Sequence, residues 1–130
     1  MQSPDPFTPQ ALHHVQLAMP EGGEAVAREF YGGLLGLPEV AKPAVLSGRG
    51  GVWFESGGLR LHLGVARPFV AAAKAHPGLA LASVAALEAL ARRLEEAGTA
   101  VIRDPDYPGY RRFYAADPFG NRLEFLTPEL

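Results

Sequence analysis

Moved along itself by 62 positions, the chain falls into register with its own second half. Ala11 then lies over Ala73, His14 over His76, Leu17 over Leu79 and Ala18 over Ala80. Without a gap the same offset pairs Ala27 with Ala89, Gly36 with Gly98, Pro43 with Pro105 and Arg49 with Arg111, and sets "GLRLHL" (58–63) over "GNRLEF" (120–125). A chain rich in Ala, Gly and Leu supplies some identities by chance, so the weight rests on their falling at matching structural positions. A duplicated half constrains the whole architecture before any single element is assigned.

Each half reads the same way. Segments 11–19 ("ALHHVQLAM") and 76–83 ("HPGLALAS") predict strands. A helical segment follows each: 23–35, with Ala27, Phe30, Tyr31, Leu34 and Leu35 at helical spacing, and 84–97, with Leu87, Leu90, Ala91 and Leu94. Gly36 and Gly98 stand where helix C-caps belong, and Ser83 is placed to cap the second helix. Three strands are then expected in each half, about 38–46, 50–55 and 59–65, and about 100–104, 110–116 and 121–126. The turn residues of "ESGG" and "DPFGN" close the final hairpins. The order is β-α-β-β-β written twice, an α+β chain of two modules at about 10–66 and 73–127. Residues 1–9, rich in proline, form a loose arm.

Within "GGLRLHLGV" (57–65) the leucines alternate with Arg60 and His62, so the imidazole points away from the apolar face. The repeat sets His62 over Glu124 and His14 over His76, and each pair is separated by 48 positions. If first and fourth strands of each half carry these groups, two halves related by approximate two-fold symmetry bring all four to one place. With no cysteine in the chain, a metal is held by nitrogen and oxygen alone. Three imidazoles and a carboxylate are a ligand set that first-row divalent ions prefer.

The segments "HHVQLAMP", "REFYGGLLGL" and "GGLRLHLGV", followed by "HPGLALAS", "LEEAGTAV" and "YAADPFGNRLEFL", resemble the vicinal oxygen chelate superfamily over about residues 10 to 127. That group includes glyoxalase I, methylmalonyl-CoA epimerase, extradiol ring-cleaving dioxygenases, fosfomycin-resistance enzymes and bleomycin-resistance binding proteins. The resemblance implies paired βαβββ modules forming a cupped mixed sheet. It also implies a divalent ion (Fe, Mn, Ni, Co or Zn) on His14, His62, His76 and Glu124. A small oxygen-rich metabolite would chelate that ion through two adjacent oxygens, for lyase or isomerase chemistry with Glu124 as base, or for extradiol-type dioxygenation. The alternative the resemblance carries is a metal-free cup that binds a drug or other small molecule.

One departure bears on this choice. Four-ligand members of the group carry Glu or Gln where this chain has His62, and three-ligand members use only the places of His14, His76 and Glu124. His62 is therefore either a fourth ligand or a hydrogen-bonding support beside the ion. His13, whose repeat partner is Ala75, alternates to the other side and reads as structural or peripheral.

Other polar candidates are substrate contacts. Arg60 and Arg122 align and share strand faces with His62 and Glu124, so they either line the cup and meet an anion or sit in solvent at the sheet edge. Arg111 and Tyr114 in "YPGYRRFYAADPFGN" offer guanidinium and phenol, whereas Asp117, Pro118, Gly120 and Asn121 serve the turn. Trp53 and Phe54 read as core or dimer-contact aromatics. Twelve basic against fourteen acidic residues, with no basic stripe, argue against nucleic acid. No apolar run approaches a bilayer's thickness and "MQSPDPFTPQ" does not read as a secretory signal. The expectation is a cytoplasmic homodimer acting on a small molecule, with the metal assembled either within one chain or between two.

Overall fold

The computed structural model describes residues 5–129. The first module runs β1 (Val15–Met19), helix α1, β2 (Glu39–Val40), β3 (Val52–Ser56) and β4 (Leu59–Val65). The second runs β5 (Gly78–Ala80), α2 (Val84–Glu96), β6 (Ile102–Arg103), β7 (Tyr110–Ala116) and β8 (Arg122–Pro128). Helix α1 begins as Glu24–Ala27 and continues through Arg28–Leu34, where the turn widens so that Leu35 N–H donates to Phe30 O at 2.9 Å, five residues back. Gly36 and Gly98 terminate the helices with φ of 73° and 87°, and Ser83 Oγ accepts from Ala86 N–H at 3.0 Å, as their positions predict.

Each module forms one four-stranded mixed sheet, ordered β1-β4-β3-β2 and β5-β8-β7-β6. The first strand of a module runs parallel to the last, and the remaining pairings are antiparallel. The strand expected at 38–46 is only Glu39–Val40, because Pro43 ends it and a tight helical turn, Ala44–Arg49, follows. The first strands are also shorter than their apolar runs suggest, so His14 lies just ahead of β1. The expected arm falls partly on residues 1–4, outside the described residues.

Leu17, Met19, Phe54, Leu61 and Leu63 from the first sheet and Phe113, Leu123 and Phe125 from the second join Phe30, Tyr31, Leu87 and Leu94 of the helices in one core. The opposite sheet faces carry the polar residues. The 117–121 turn does more than reverse the chain: Asp117 and Asn121 are both buried and clasp the first module. Tyr31 Oη–H donates to Asp117 Oδ2, Asn121 Nδ2–H donates to Ala18 O, and Asn121 Oδ1 accepts from Ala72 N–H. Among the described residues no helix is long and apolar enough to cross a membrane.

Candidate metal centre

β4 holds His62 in a row with Gln16 of β1 and Trp53 of β3. Trp53 stacks flat on the imidazole, centroids 3.8 Å apart at 2°, and His14 stacks on its other side at 4.6 Å and 20°. His62 is 4% exposed, and its Nε2 is buried without a hydrogen-bond partner among the described residues. Burial and then the neighbouring His14 push its pKa below the ordinary histidine value. An orphaned ring nitrogen is costly to bury and calls for a partner. His14 is exposed, its Nδ1 3.0 Å from that of His13. Arg60 lies at the edge of this group, donating to His13 O at 3.3 Å and 3.9 Å from Glu55.

In the second module Glu124 stands directly across β7 from Tyr114. Its Oε1 meets His76 Nε2 at 2.9 Å, and its Oε2 accepts from Arg112 Nη1–H at 3.2 Å. His76 Nδ1–H donates to Lys74 O at 2.8 Å, which fixes the ring with Nε2 toward the carboxylate. Glu124 is 8% exposed. Burial works against its charge, but hydrogen bonds from His76 and Arg112 outweigh it and hold the carboxyl below the usual range. Arg112 also pairs with Asp104 at 3.3 Å, and its guanidinium lies over the rings of Tyr107 and Tyr114. Arg122 lies over Tyr114 at 4.0 Å.

The four expected ligands thus come together as two pairs, His14 with His62 and His76 with Glu124. They do not meet in one chain: among the described residues no three His, Asp or Glu side chains lie close enough to share an ion. The physical reason is that each sheet turns its apolar face to the common core, which leaves the two polar faces apart.

Strand register also corrects the repeat. Trp53 opposes His62, but Tyr114, not Ala115, opposes Glu124, so the offset in β3 and β7 is one residue shorter than elsewhere. The second hairpin has one more residue at its tip, and Arg49 and Arg111 are not equivalent. Arg111 faces the opposite side of β7 from Tyr114, exposed and 3.5 Å from Glu129. Two residues join the site unanticipated. Arg112 shares a strand face with Tyr114, and Trp53 alternates with the core residues Val52 and Phe54, so period-two alternation was the signal for both.

The donor set suits a first-row divalent ion. The orphaned His62 Nε2 is a nitrogen of the kind such an ion takes, and His76, anchored through Nδ1, would exchange its Nε2 contact with Glu124 for the ion, so the residues present fit the group.

A search among curated proteins finds no match. Among solved structures, a protein assigned to the glyoxalase family from Bacillus anthracis is 39% identical, with 99% of this chain and 100% of that one covered and a TM-score of 0.88. A lactoylglutathione lyase from Agrobacterium tumefaciens (23% identity, 92% and 95% covered, TM-score 0.72) and a fosfomycin resistance protein from Listeria monocytogenes (17%, 95% and 97%, TM-score 0.71) share the fold. The profile of one family matches residues 11–125. With paired βαβββ modules and that match across most of its length, the chain belongs to the Glyoxalase/Bleomycin resistance protein/Dioxygenase superfamily.

Proposed function

We propose that the protein is a divalent-metal-dependent enzyme of the vicinal oxygen chelate type, acting on a small oxygen-rich metabolite by lyase or isomerase chemistry. His14 and His62 of one chain and His76 and Glu124 of a second would hold the ion, so the working unit is a homodimer. The observation that carries this reading is His62 Nε2, buried and unpartnered on a sheet face whose equivalent in the other module carries Glu124.

A bound ion would supply Lewis-acid stabilisation of the oxyanion that develops on two adjacent substrate oxygens. The chain's own residues do the rest. Glu124 stays ionised and takes a proton at Oε1 from the substrate carbon beside those oxygens, while Arg112 keeps Oε2 in place. Trp53 and His14 hold the His62 ring plane, and Arg60, at the rim, meets solvent and incoming substrate.

A metal-free binding protein is the second reading. It is favoured by one feature: Glu124 already has both oxygens engaged by Arg112 and His76.

Metal analysis of protein purified without chelator decides between them, repeated on Glu124→Ala and His62→Ala. Stoichiometric metal lost in both variants supports four ligands. Loss with Glu124→Ala alone favours the three-ligand, dioxygenase-like site, and no metal in the parent chain rejects the enzyme reading.

A further inference from the structure

A cavity of about 1060 Å³ opens between α1 and the second sheet, with Val26, Phe30 and Leu34 on one wall and Ile102, Tyr114 and Arg122 on the other. Its mouth is apolar: Val26 and Ile102 are both exposed, Ile102 by 62%. Exposed apolar side chains facing each other across a cleft mark a surface that something apolar covers. The charge in this cleft is unusual. Of the three partly buried arginines among the described residues, Arg60, Arg112 and Arg122, only Arg122 lines the cleft. Arg60 lies beside Glu55 and Arg112 pairs with Asp104 and Glu124, but among the described residues Arg122 has neither a carboxylate nor a carbonyl partner and rests on the Tyr114 ring. A guanidinium withdrawn from water without an anion leaves a desolvation cost that a ligand's negative charge would offset.

We propose that this cleft binds an apolar monocarboxylate, its head on Arg122 and its hydrocarbon body along Val26, Phe30, Leu34 and Ile102. The cleft also holds Arg93, spent on the carbonyls of Gly33 and Leu34, Asp117, spent on Tyr31, and Glu29, so Arg122 is the one cation of the lining without an acceptor among the described residues, which favours a monoanionic carboxylate over a phosphate dianion. The inference goes beyond the enzyme reading: it assigns a ligand class to this cleft and no chemistry at Glu124. Binding itself needs no ion.

The test uses the full chain after chelator treatment, with calorimetry and amide NMR shifts for butyrate, hexanoate and octanoate against their primary amides. Affinity should rise with chain length, and each acid should bind at least ten-fold tighter than its amide. Arg122→Met should erase the acid–amide difference while leaving amide binding within two-fold. Ile102→Asp, at an exposed position that tolerates charge, should weaken every acid by ten-fold or more. Acids and amides that bind alike, an acid preference that survives Arg122→Met, or no binding because a second chain fills the cleft would each overturn the proposal. Since the ion is removed beforehand, a negative result here leaves the metal reading intact, and metal-free purified protein leaves this site intact.

Discussion

Tyr31 Oη lies 2.6 Å from Asp117 Oδ2, a buried hydrogen bond that joins the helix of one module to the hairpin tip of the other across 86 positions of sequence. The carboxylate makes it charge-assisted, and such bonds are worth about 1.5–3 kcal/mol. Tyr31→Phe should lower unfolding free energy by about that amount in urea denaturation at neutral pH. Burial first, then the Asp117 charge and the hydrogen bond, raise the phenol's pKa well above its ordinary 10. The sign follows: a raised folded pKa gives stability that is complete below pH 10 and is lost as the unfolded chain begins to release its proton above it. Melting temperatures above pH 10 should therefore fall more steeply in the parent than in Tyr31→Phe.

At Gly51 a Cβ would stand 2.2 Å from Leu63 O, with φ at 88°. Gly51→Ala should cost about 3 kcal/mol or more, since backbone cannot yield as a side chain does. Gly57 shares a positive φ of 58° but has nothing within 4 Å of its Cβ position. Gly57→Ala should cost only about 1 kcal/mol, the difference being read from paired thermal denaturation curves.

Removing Arg112 takes away one of the two groups that hold Glu124 ionised. Arg112→Met leaves burial less opposed, so the Glu124 carboxyl should titrate at higher pH than in the parent. A depressed folded pKa gives stability that is present above the unfolded value and lost as pH falls through the folded one. The acid-side loss should then move to higher pH in the variant. Carboxyl carbon NMR titration measures the shift directly, and an unmoved resonance would deny Arg112 this role.

The two-chain reading of the metal centre makes a stoichiometric prediction. His14→Ala and Glu124→Ala chains should each bind no ion alone. Unfolded together and refolded at equal amounts, half of the dimers pair one of each, and each mixed dimer has one intact set of four donors. Metal content should recover to about one quarter of the parent's, as measured by elemental analysis. Sites built within single chains would recover nothing.

Much of this fold is legible in the residues. The strands at 59–65 and 110–116 have their expected bounds, because clean alternation runs between unambiguous turns. Ser83 and the two helix-ending glycines sit where local chemistry requires them. The four candidate ligands were found by repetition, which reports equivalent positions in each half. What repetition does not report is how the halves pack, so it leaves open whether His14 and His62 meet His76 and Glu124 within one chain or between two. Arg112 has no counterpart in the first module, and a search by likeness passes over it. Asp117 and Asn121 announce a turn through their residue types, while the tertiary neighbours beneath that turn, Tyr31 and Ala18, are far away in sequence.

The longer tip of the second hairpin has a consequence for the chain's symmetry. Two copies of the first half would each end their hairpin in a pair of glycines, with no counterpart of Asp117 and Asn121 to clasp the neighbouring unit. The two halves are not interchangeable parts, since only the second supplies the contacts that fasten one to the other.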